Sequence, residues 1–109
     1  EVESNDVKTL QYIDYSVEER AKYNGKQKYA INFHADWCPT CNAYDKKIIS
    51  QSADFPVGAV LLKADYDAET ELKKEFGVTA QTTFVVLDET GKVIFKKINP
   101  TFEDLVSQF

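Results

Sequence analysis

The feature that most constrains this chain is a Trp-Cys-Pro-Thr-Cys segment at residues 37–41. Cys38 and Cys41 are the only cysteines among the 109 residues, and they stand three positions apart. An apolar run precedes them and a helical pattern begins with them, which predicts that the pair lies where a strand leads into a helix. Two thiols at this spacing can form a disulfide that opens and closes reversibly.

The composition predicts a single domain over residues 1–109, with residues 1–14 as an N-terminal extension that contains the first strand. Apolar residues make up 43% of the chain, which is enough for one hydrophobic core. The net charge of -5 and the pI of about 4.8 argue against nucleic-acid binding, which requires clustered positive charge. There is no uninterrupted apolar run long enough to span a membrane.

The chain contains no methionine, which predicts that a segment upstream of Glu1 has been removed. A signal peptide or a membrane anchor would explain the removal, and so would a simple truncation. We therefore expect an extracytoplasmic protein, periplasmic or exported, with a membrane anchor as one option.

Hydrophobic periodicity predicts the element order β-α-β-α-β-α-β-β-α. The strands are predicted over residues 7–13, 29–35, 59–64, 83–87 and 92–98. The helices are predicted after a capping box at Ser16, over residues 39–51 and 68–76, and after a cap at Thr101. Strands that are apolar on both faces are typical of a sheet covered by helices on both sides, and the final hairpin makes that sheet mixed. The fold class is therefore α/β, a three-layer sandwich.

The predicted position of Cys38 at a helix N-terminus favours its thiolate, because unpaired N–H groups and a partial positive charge lie there. Pro39 suits the first helical turn, where its missing N–H costs nothing. Cys41 lies one turn further along and is expected to be more buried. Cys38 would then attack a partner's disulfide, and Cys41 would attack Cys38 to release the reduced partner.

Three other interpretations of the pair stay open at this point. A structural disulfide is disfavoured because so short a loop constrains the unfolded chain little. A zinc site would need further ligands, and there is no second Cys-x-x-Cys motif. The pair could also be a vestige in a binding module.

Longer stretches around the motif resemble the thioredoxin-fold family. They are Phe-His-Ala-Asp-Trp-Cys-Pro-Thr-Cys at residues 33–41, Leu-Lys-Ala-Asp-Tyr-Asp at 62–67, and the segment at 76–87. The resemblance covers roughly residues 15–108. The Ala-Asp-Trp-Cys wording is especially similar to the C-terminal thioredoxin-like domain of DsbD, a bacterial membrane reductase.

The resemblance implies a thioredoxin fold and assigns roles by position. Cys38 matches the nucleophilic cysteine, Cys41 the resolving cysteine and Trp37 the tryptophan beside them, with Pro39 and Thr40 between the cysteines. Lys63 matches a lysine beneath the motif in many members. It could also be a solvated charge at a strand end.

Two positions depart from the family's pattern. Asn32 stands where the family has a buried aspartate that helps to move the proton of the resolving thiol, and an amide cannot accept that proton. Thr82 stands where the family has a cis-proline facing the disulfide. Because a cis bond before a non-proline residue costs roughly 3–4 kcal/mol, we expect Thr82 to be trans or strained. We also expect its hydroxyl to contact Cys38, to change partner docking and to loosen the barrier to metal binding.

Two polar residues precede the motif closely. His34, the only histidine, could tune Cys38 or join a metal site, but a packed structural histidine is the better interpretation. Asp36 is expected to be exposed, and if it lay near Cys38 it would raise the pKa of that thiol.

Aromatic and acidic residues near the motif carry further predictions. Trp37 is expected on an apolar rim that meets partners, whereas Tyr44 fits the rim and the core equally well. Asp65 and Asp67 resemble paired carboxylates, but Asp67 is explained as a helix N-cap.

These observations together predict a thiol-disulfide oxidoreductase, and the resemblance alone implies that it more readily reduces than oxidises its partners. The expected partners are disulfide-containing proteins or another thiol-disulfide oxidoreductase, with no nucleic acid and no bound cofactor, and the protein is expected to be a monomer. The alternative is a thioredoxin-fold binding or metal-handling module with little exchange activity.

Overall fold

The computed structural model describes residues 9–109, and these form five strands and four α-helices. The strands are β1 (Leu10–Asp14), β2 (Tyr29–His34), β3 (Ala59–Asp65), β4 (Thr83–Leu87) and β5 (Val93–Ile98). The helices are α1 (Val17–Tyr23), α2 (Pro39–Ser50), α3 (Thr70–Phe76) and α4 (Phe102–Ser107), with a short 3-10 helix at Ser52–Asp54. The predicted order of strands and α-helices is confirmed.

All five strands belong to one mixed sheet with the order β1-β3-β2-β4-β5. Strand β3 runs parallel to both β1 and β2, whereas β4 runs antiparallel to both β2 and β5. Strand β2 is therefore central and is buried along its whole length. Its carboxyl end leads into the segment that carries the two cysteines.

Helices cover both faces of the sheet, as the apolar strands predicted. On one face, Tyr44 and Ile48 of α2 and Phe102 and Leu105 of α4 pack in one buried cluster with Phe84. On the opposite face, α3 contributes Leu72 to a second cluster, against which Tyr23 of α1 is partly buried. The first of these cores packs α2 against the sheet that contains β2.

The helix ends follow local sequence signals. The hydroxyl of Ser16 accepts a hydrogen bond from the Glu19 N–H at 3.0 Å, and Thr101 accepts one from the Asp104 N–H at 3.1 Å. Gly77 ends α3 with a φ of 64°, a left-handed conformation that glycine adopts without steric cost. The predicted N-caps at Ser16 and Thr101 are confirmed.

Several predicted boundaries are displaced by turns. Helix α3 begins at Thr70 rather than at residue 68, because the carbonyl of Asp65 accepts hydrogen bonds from the N–H groups of Ala68 and Glu69. Strand β5 begins one residue later than predicted, since the carboxylate of Asp88 binds the Lys92 N–H at 3.0 Å. The predicted first strand began at residue 7, and residues 7 and 8 lie outside the described residues.

Within the described range, none of the helices has the length and apolar character needed to cross a membrane.

Candidate active site

The two cysteines lie at the junction of β2 and α2, where the sequence placed them. Cys38 is the N-cap residue of α2 and Pro39 is the first helical residue. The Cys38 N–H donates to the carbonyl of Ala35 at 3.1 Å, which fixes the turn between strand and helix. Both cysteines are free thiols in this structure, and both are buried.

Cys38 is held so that its thiolate is favoured. Its Sγ accepts a hydrogen bond from the Cys41 N–H at 3.4 Å, one of the N–H groups left free at the start of α2. This backbone hydrogen bond is the largest cause that lowers the pKa of Cys38 from its ordinary value to about 7. A substantial fraction of Cys38 is therefore ionised, and nucleophilic, at neutral pH.

Cys41 lies in the opposite situation. Burial raises the pKa of its thiol, and the neighbouring Cys38 raises it further. Hydrogen bonds with Thr82 and with the backbone at Ala35 lower it, each with a smaller effect than burial. The arrangement favours Cys38 as the ionised nucleophile and Cys41 as the thiol that stays protonated.

Thr82 faces the pair from the loop before β4. Its Oγ1 lies 2.8 Å from the Sγ of Cys41 and 4.0 Å from the Sγ of Cys38. The predicted contact of the hydroxyl with Cys38 is present at the outer limit of a hydrogen bond to sulfur, and the nearer sulfur is that of Cys41.

The backbone of Thr82 is trans and strained, as expected. Every peptide bond among the described residues is trans, and Thr82 has a φ of 61°. This left-handed conformation is rare for a β-branched residue and costs about 1–3 kcal/mol. The Thr82 N–H donates to the carbonyl of Phe33 at 2.8 Å, and its own carbonyl accepts from the Asn99 N–H at 2.7 Å. These two hydrogen bonds hold the strained residue in place.

A polar network lies on the α2 side of the sheet. The buried Asn32 donates from Nδ2 to the hydroxyl of Tyr12 at 2.9 Å, and Tyr12 donates to Oδ1 of Asp45 at 2.7 Å. The Nζ of Lys63 lies 3.2 Å from the same oxygen of Asp45. Burial raises the pKa of Tyr12 well above its usual range, with Asp45 as a further cause, so its hydroxyl stays a donor.

This network argues against one of the two interpretations of Lys63. The side chain is partly buried and paired with Asp45, so it is not a solvated charge at a strand end. Asp45 follows Cys41 by four residues and therefore lies on the same side of α2, one turn further along. Lys63 and Asn32 thus contact the helix that carries the cysteines through Asp45 and Tyr12.

Trp37 is exposed beside the pair, as predicted for a rim residue. Its Nε1 donates to Oδ2 of Asp67 at 2.6 Å. The prediction that Asp67 caps α3 is wrong, because Glu69 is the N-cap and the side chain of Asp67 binds Trp37 instead. Asp65 uses its Oδ1 to accept the N–H of Asp67, so it shapes the turn and does not pair with Asp67 for catalysis.

The structure also places the other predicted residues around the motif. Tyr44 belongs to the core, where its hydroxyl donates to the carbonyl of Pro100 at 2.9 Å, so the rim interpretation is wrong. His34 is buried, and its Nε2 lies 3.0 Å from Oδ1 of the exposed Asp36. The packed structural interpretation of His34 fits this position. Thr40 is exposed on the first turn of α2.

Three residues of the site carried no signal that pointed to it: Tyr12, Asp45 and, as the partner of Trp37, Asp67. The spacing of Asp45 from Cys41 could have suggested that both share one side of α2. Nothing in the sequence near Tyr12 indicates its contact, since Tyr12 and Asp45 are 33 residues apart.

Within residues 9–109, no group of three or more histidine, cysteine, aspartate or glutamate side chains has an arrangement that could hold a metal ion. A ligand set built around Cys38 and Cys41 would therefore need donors from elsewhere, because zinc takes four ligands in structural sites.

Comparison with known proteins identifies the family. The Thioredoxin family model matches residues 13–109. The chain belongs to the thioredoxin family. It is 34% identical to thioredoxin H4 of Arabidopsis thaliana over 102 residues, which cover 94% of this chain and 79% of that protein. It also matches the mitochondrial thioredoxins of mouse and rat, and it spans about half of their length.

Solved structures of the thioredoxin family support the fold. Trxlp from Edwardsiella tarda superposes with a TM-score of 0.77 at 20% identity, covering 91% of this chain and 97% of that one. A chain from a structure on the thiol resolving mechanism of the yeast mitochondrial 1-Cys peroxiredoxin via glutathione and thioredoxin systems superposes with a TM-score of 0.66. The two sequences are 25% identical, and the match covers 93% of this chain and 96% of that one.

As a thioredoxin-family protein, the chain is a thiol-disulfide oxidoreductase. Two positions depart from the family pattern that was stated from the sequence. Asn32 brings an amide to the polar network, and Thr82 brings a hydroxyl to Cys41. The site therefore retains the cysteine pair, while a threonine hydroxyl contacts Cys41 where the family pattern has a proline.

Proposed function

We propose that this protein reduces disulfide bonds of other proteins, with Cys38 as the nucleophile and Cys41 as the resolving thiol. The observation that carries the proposal is that the pKa values of the two cysteines are shifted in opposite directions. The Cys41 N–H lowers the pKa of Cys38 to about 7, whereas burial raises the pKa of Cys41. The two thiols are thereby prepared to act in sequence.

The reaction proceeds by two exchanges. The Cys38 thiolate attacks one sulfur of the partner's disulfide, and the other sulfur leaves as a thiolate and takes a proton from water. Cys41 then loses its proton to water and attacks the Sγ of Cys38, which releases the partner's second thiolate. The partner gains two electrons, and this protein ends with a Cys38–Cys41 disulfide that an external dithiol must reduce.

The proposed partners are disulfide-containing proteins or another thiol-disulfide oxidoreductase. Supporting this class, the structural relative from yeast comes from work on a peroxiredoxin whose thiol is resolved via the glutathione and thioredoxin systems. The exposed indole of Trp37, anchored on Asp67, offers an apolar surface beside Cys38 for such a partner. We propose a monomer.

The proposed cellular setting is extracytoplasmic, and the finer assignment is a DsbD-like domain that receives electrons from a membrane reductase. The support is the Ala-Asp-Trp-Cys wording of residues 35–38. Electron transfer from a purified DsbD transmembrane domain, faster than from a cytosolic thioredoxin reductase, is the expected outcome. Preference for the cytosolic reductase would contradict this setting.

Turbidimetric reduction of insulin by a dithiol donor tests the activity. We expect turnover that is lost in Cys38→Ser and in Cys41→Ser, because the first variant lacks the nucleophile and the second cannot resolve the mixed disulfide. The exposed Ser50→Ala is the matched control, since it removes a hydroxyl at the far end of α2. Turnover that persists in Cys38→Ser would overturn the proposal.

The direction of electron flow is tested by the reduction potential of the pair, followed through Trp37 fluorescence in dithiol/disulfide buffers. A value near that of thioredoxin, about -270 mV, is expected for a donor of electrons. A value near about -120 mV would instead assign the protein as an oxidant.

Asn32 and Thr82 also motivate a second candidate, a binding or metal-handling module. It predicts slow insulin reduction together with zinc retained through purification. Rapid turnover that depends on both cysteines would exclude it.

A further inference from the structure

We propose that the hydroxyl of Thr82 is a catalytic group of the resolution step, in which it donates a hydrogen bond to the thiolate of Cys41. The inference rests on the proposed function, because it assigns a role within the second exchange. It concerns the half of the reaction for which the site, with an amide at Asn32, offers no carboxylate on β2.

The hydroxyl distinguishes between the two sulfurs. Its oxygen lies within hydrogen-bond distance of Cys41, at 2.8 Å, but only at the outer limit of a contact with Cys38, at 4.0 Å. Thr82 and Cys41 are both buried, so the hydroxyl is a side-chain donor beside a sulfur that bulk water reaches only marginally. A thiolate that forms at Cys41 therefore has the Thr82 hydroxyl as a donor already in place.

The position of the hydroxyl is maintained at a conformational cost. Hydrogen bonds to the carbonyl of Phe33 and from the N–H of Asn99 hold Thr82 on both sides. Its φ of 61° is disfavoured for a β-branched side chain. Strained residues of this kind concentrate at active sites, where the surrounding structure enforces them. Here the enforced conformation places a hydroxyl beside the resolving sulfur.

The chemistry explains why a donor at this sulfur matters. In the mixed disulfide, the Sγ of Cys38 is uncharged and bonded to the partner's sulfur. Cys41 must lose its proton to water before its sulfur can attack, and burial opposes that ionisation. A hydrogen bond from Thr82 stabilises the anion and lowers the pKa of Cys41. Thr82 keeps its own proton while the Cys38–Cys41 bond forms and the bond to the partner breaks.

The opposite orientation makes the opposite prediction. If the thiol of Cys41 donated to the oxygen of Thr82, and the hydroxyl did not rotate to become the donor, the contact would stabilise the protonated form of Cys41. Removal of the hydroxyl would then speed resolution. The two orientations are therefore distinguished by the sign of one effect.

Thr82→Val and Thr82→Ser form the decisive pair of variants. Valine retains the β-branched shape and the same backbone strain but has no hydroxyl, whereas serine keeps the hydroxyl. Thr79→Val is the matched control, since it removes an exposed hydroxyl from the same loop. If Thr82→Val does not fold, Thr82→Ala replaces it as the variant without a hydroxyl and is compared with Thr82→Ser.

The measurement is stopped-flow reaction of the full, reduced chain with dithiobis-nitrobenzoate. The first release of thionitrobenzoate reports the attack of Cys38, and the second reports resolution by Cys41. We expect Thr82→Val to slow the second phase at neutral pH by about tenfold and to shift its pH midpoint upward, because hydrogen bonds to charged groups are strong. Thr82→Ser and Thr79→Val are expected to resolve within about twofold of the wild-type rate.

The outcomes separate the two proposals. A wild-type chain that releases only one equivalent would overturn the proposed function. If the wild-type chain releases two equivalents and Thr82→Val resolves at the wild-type rate or faster, the role of Thr82 is refuted and the proposed function stands. The inference is supported if Thr82→Val resolves about tenfold more slowly with an upward shift of the pH midpoint, while Thr82→Ser and Thr79→Val resolve at near the wild-type rate.

Discussion

The backbone N–H of Cys41 donates to the Sγ of Cys38 at 3.4 Å, so one residue of the pair activates the other. The donor belongs to the first turn of α2, where the backbone N–H groups have no partner within the helix. Activation of Cys38 therefore requires only that the helix begins where it does. Because the donor is a backbone group, substitution of the Cys41 side chain leaves it in place.

The pH dependence of Cys38 alkylation follows from this contact. Since the pKa of Cys38 is about 7, its thiolate population, and with it the rate of reaction with iodoacetamide, should rise through a midpoint near pH 7. Cys41 should not contribute below this pH because its pKa is raised. The rate is measured between pH 5 and pH 9. A midpoint at the ordinary cysteine value of about 8.5 would contradict the prediction.

The network around Tyr12 is expected to stabilise the fold. Tyr12→Phe removes the acceptor of the buried Asn32 amide and the donor to Asp45, which should lower the free energy of unfolding by about 1–3 kcal/mol. Urea denaturation measures the change. Tyr23→Phe is the control, since its hydroxyl makes only an exposed 3.4 Å contact with Gln11. Equal effects in the two variants would show that the network contributes nothing.

Asn32→Asp should make stability dependent on pH. Burial would raise the pKa of the new carboxyl group in the folded state, since Tyr12 already donates its hydroxyl to Asp45. When the pKa of an acid is higher in the folded than in the unfolded state, the group does not change the free energy of unfolding at a pH below its unfolded pKa. As the pH rises above the unfolded pKa, the free energy of unfolding falls progressively. We expect a loss of about 2–3 kcal/mol at pH 8 that vanishes near pH 4.

Urea denaturation of Asn32→Asp at both pH values, with wild type alongside, provides that test. A deficit that stays the same at both pH values would indicate a packing defect instead of a buried charge.

The contact between Trp37 and Asp67 is expected to affect partner docking. Asp67→Ala removes the 2.6 Å acceptor of the Trp37 indole and frees the side chain, so kcat/KM for insulin reduction should fall about threefold. Asp67→Asn keeps a carbonyl acceptor and should retain most of the activity. Unchanged kcat/KM in Asp67→Ala, with unchanged Trp37 fluorescence, would show that the contact does not orient the indole.

Much of the fold could be predicted because its signals are local. The caps at Ser16, Thr101 and Gly77 each act within a few residues of the helix end that they form. Boundaries were displaced where a turn used side-chain or backbone acceptors that periodicity does not reveal, as the carbonyl of Asp65 does before α3.

The site was predictable in its centre and not in its surroundings. Cys38 and Cys41 lie in one segment, whose strand-to-helix position follows from adjacent residues. Tyr44 could not be assigned, because its place on α2 is compatible with rim and core until α4 and β4 pack against it. Asp67 was misassigned, since a cap is a local interpretation and its actual partner, Trp37, is 30 residues away.

The sequence by itself determined the α/β order, the strand-to-helix position of the cysteines and the activation of Cys38, since each depends on periodicity or on one helix terminus. Only the tertiary structure decided that Thr82 contacts Cys41 and that Asp45 binds both Lys63 and Tyr12. Those contacts join residues far apart in the chain, and the packing of loops and strands around α2 sets their distances.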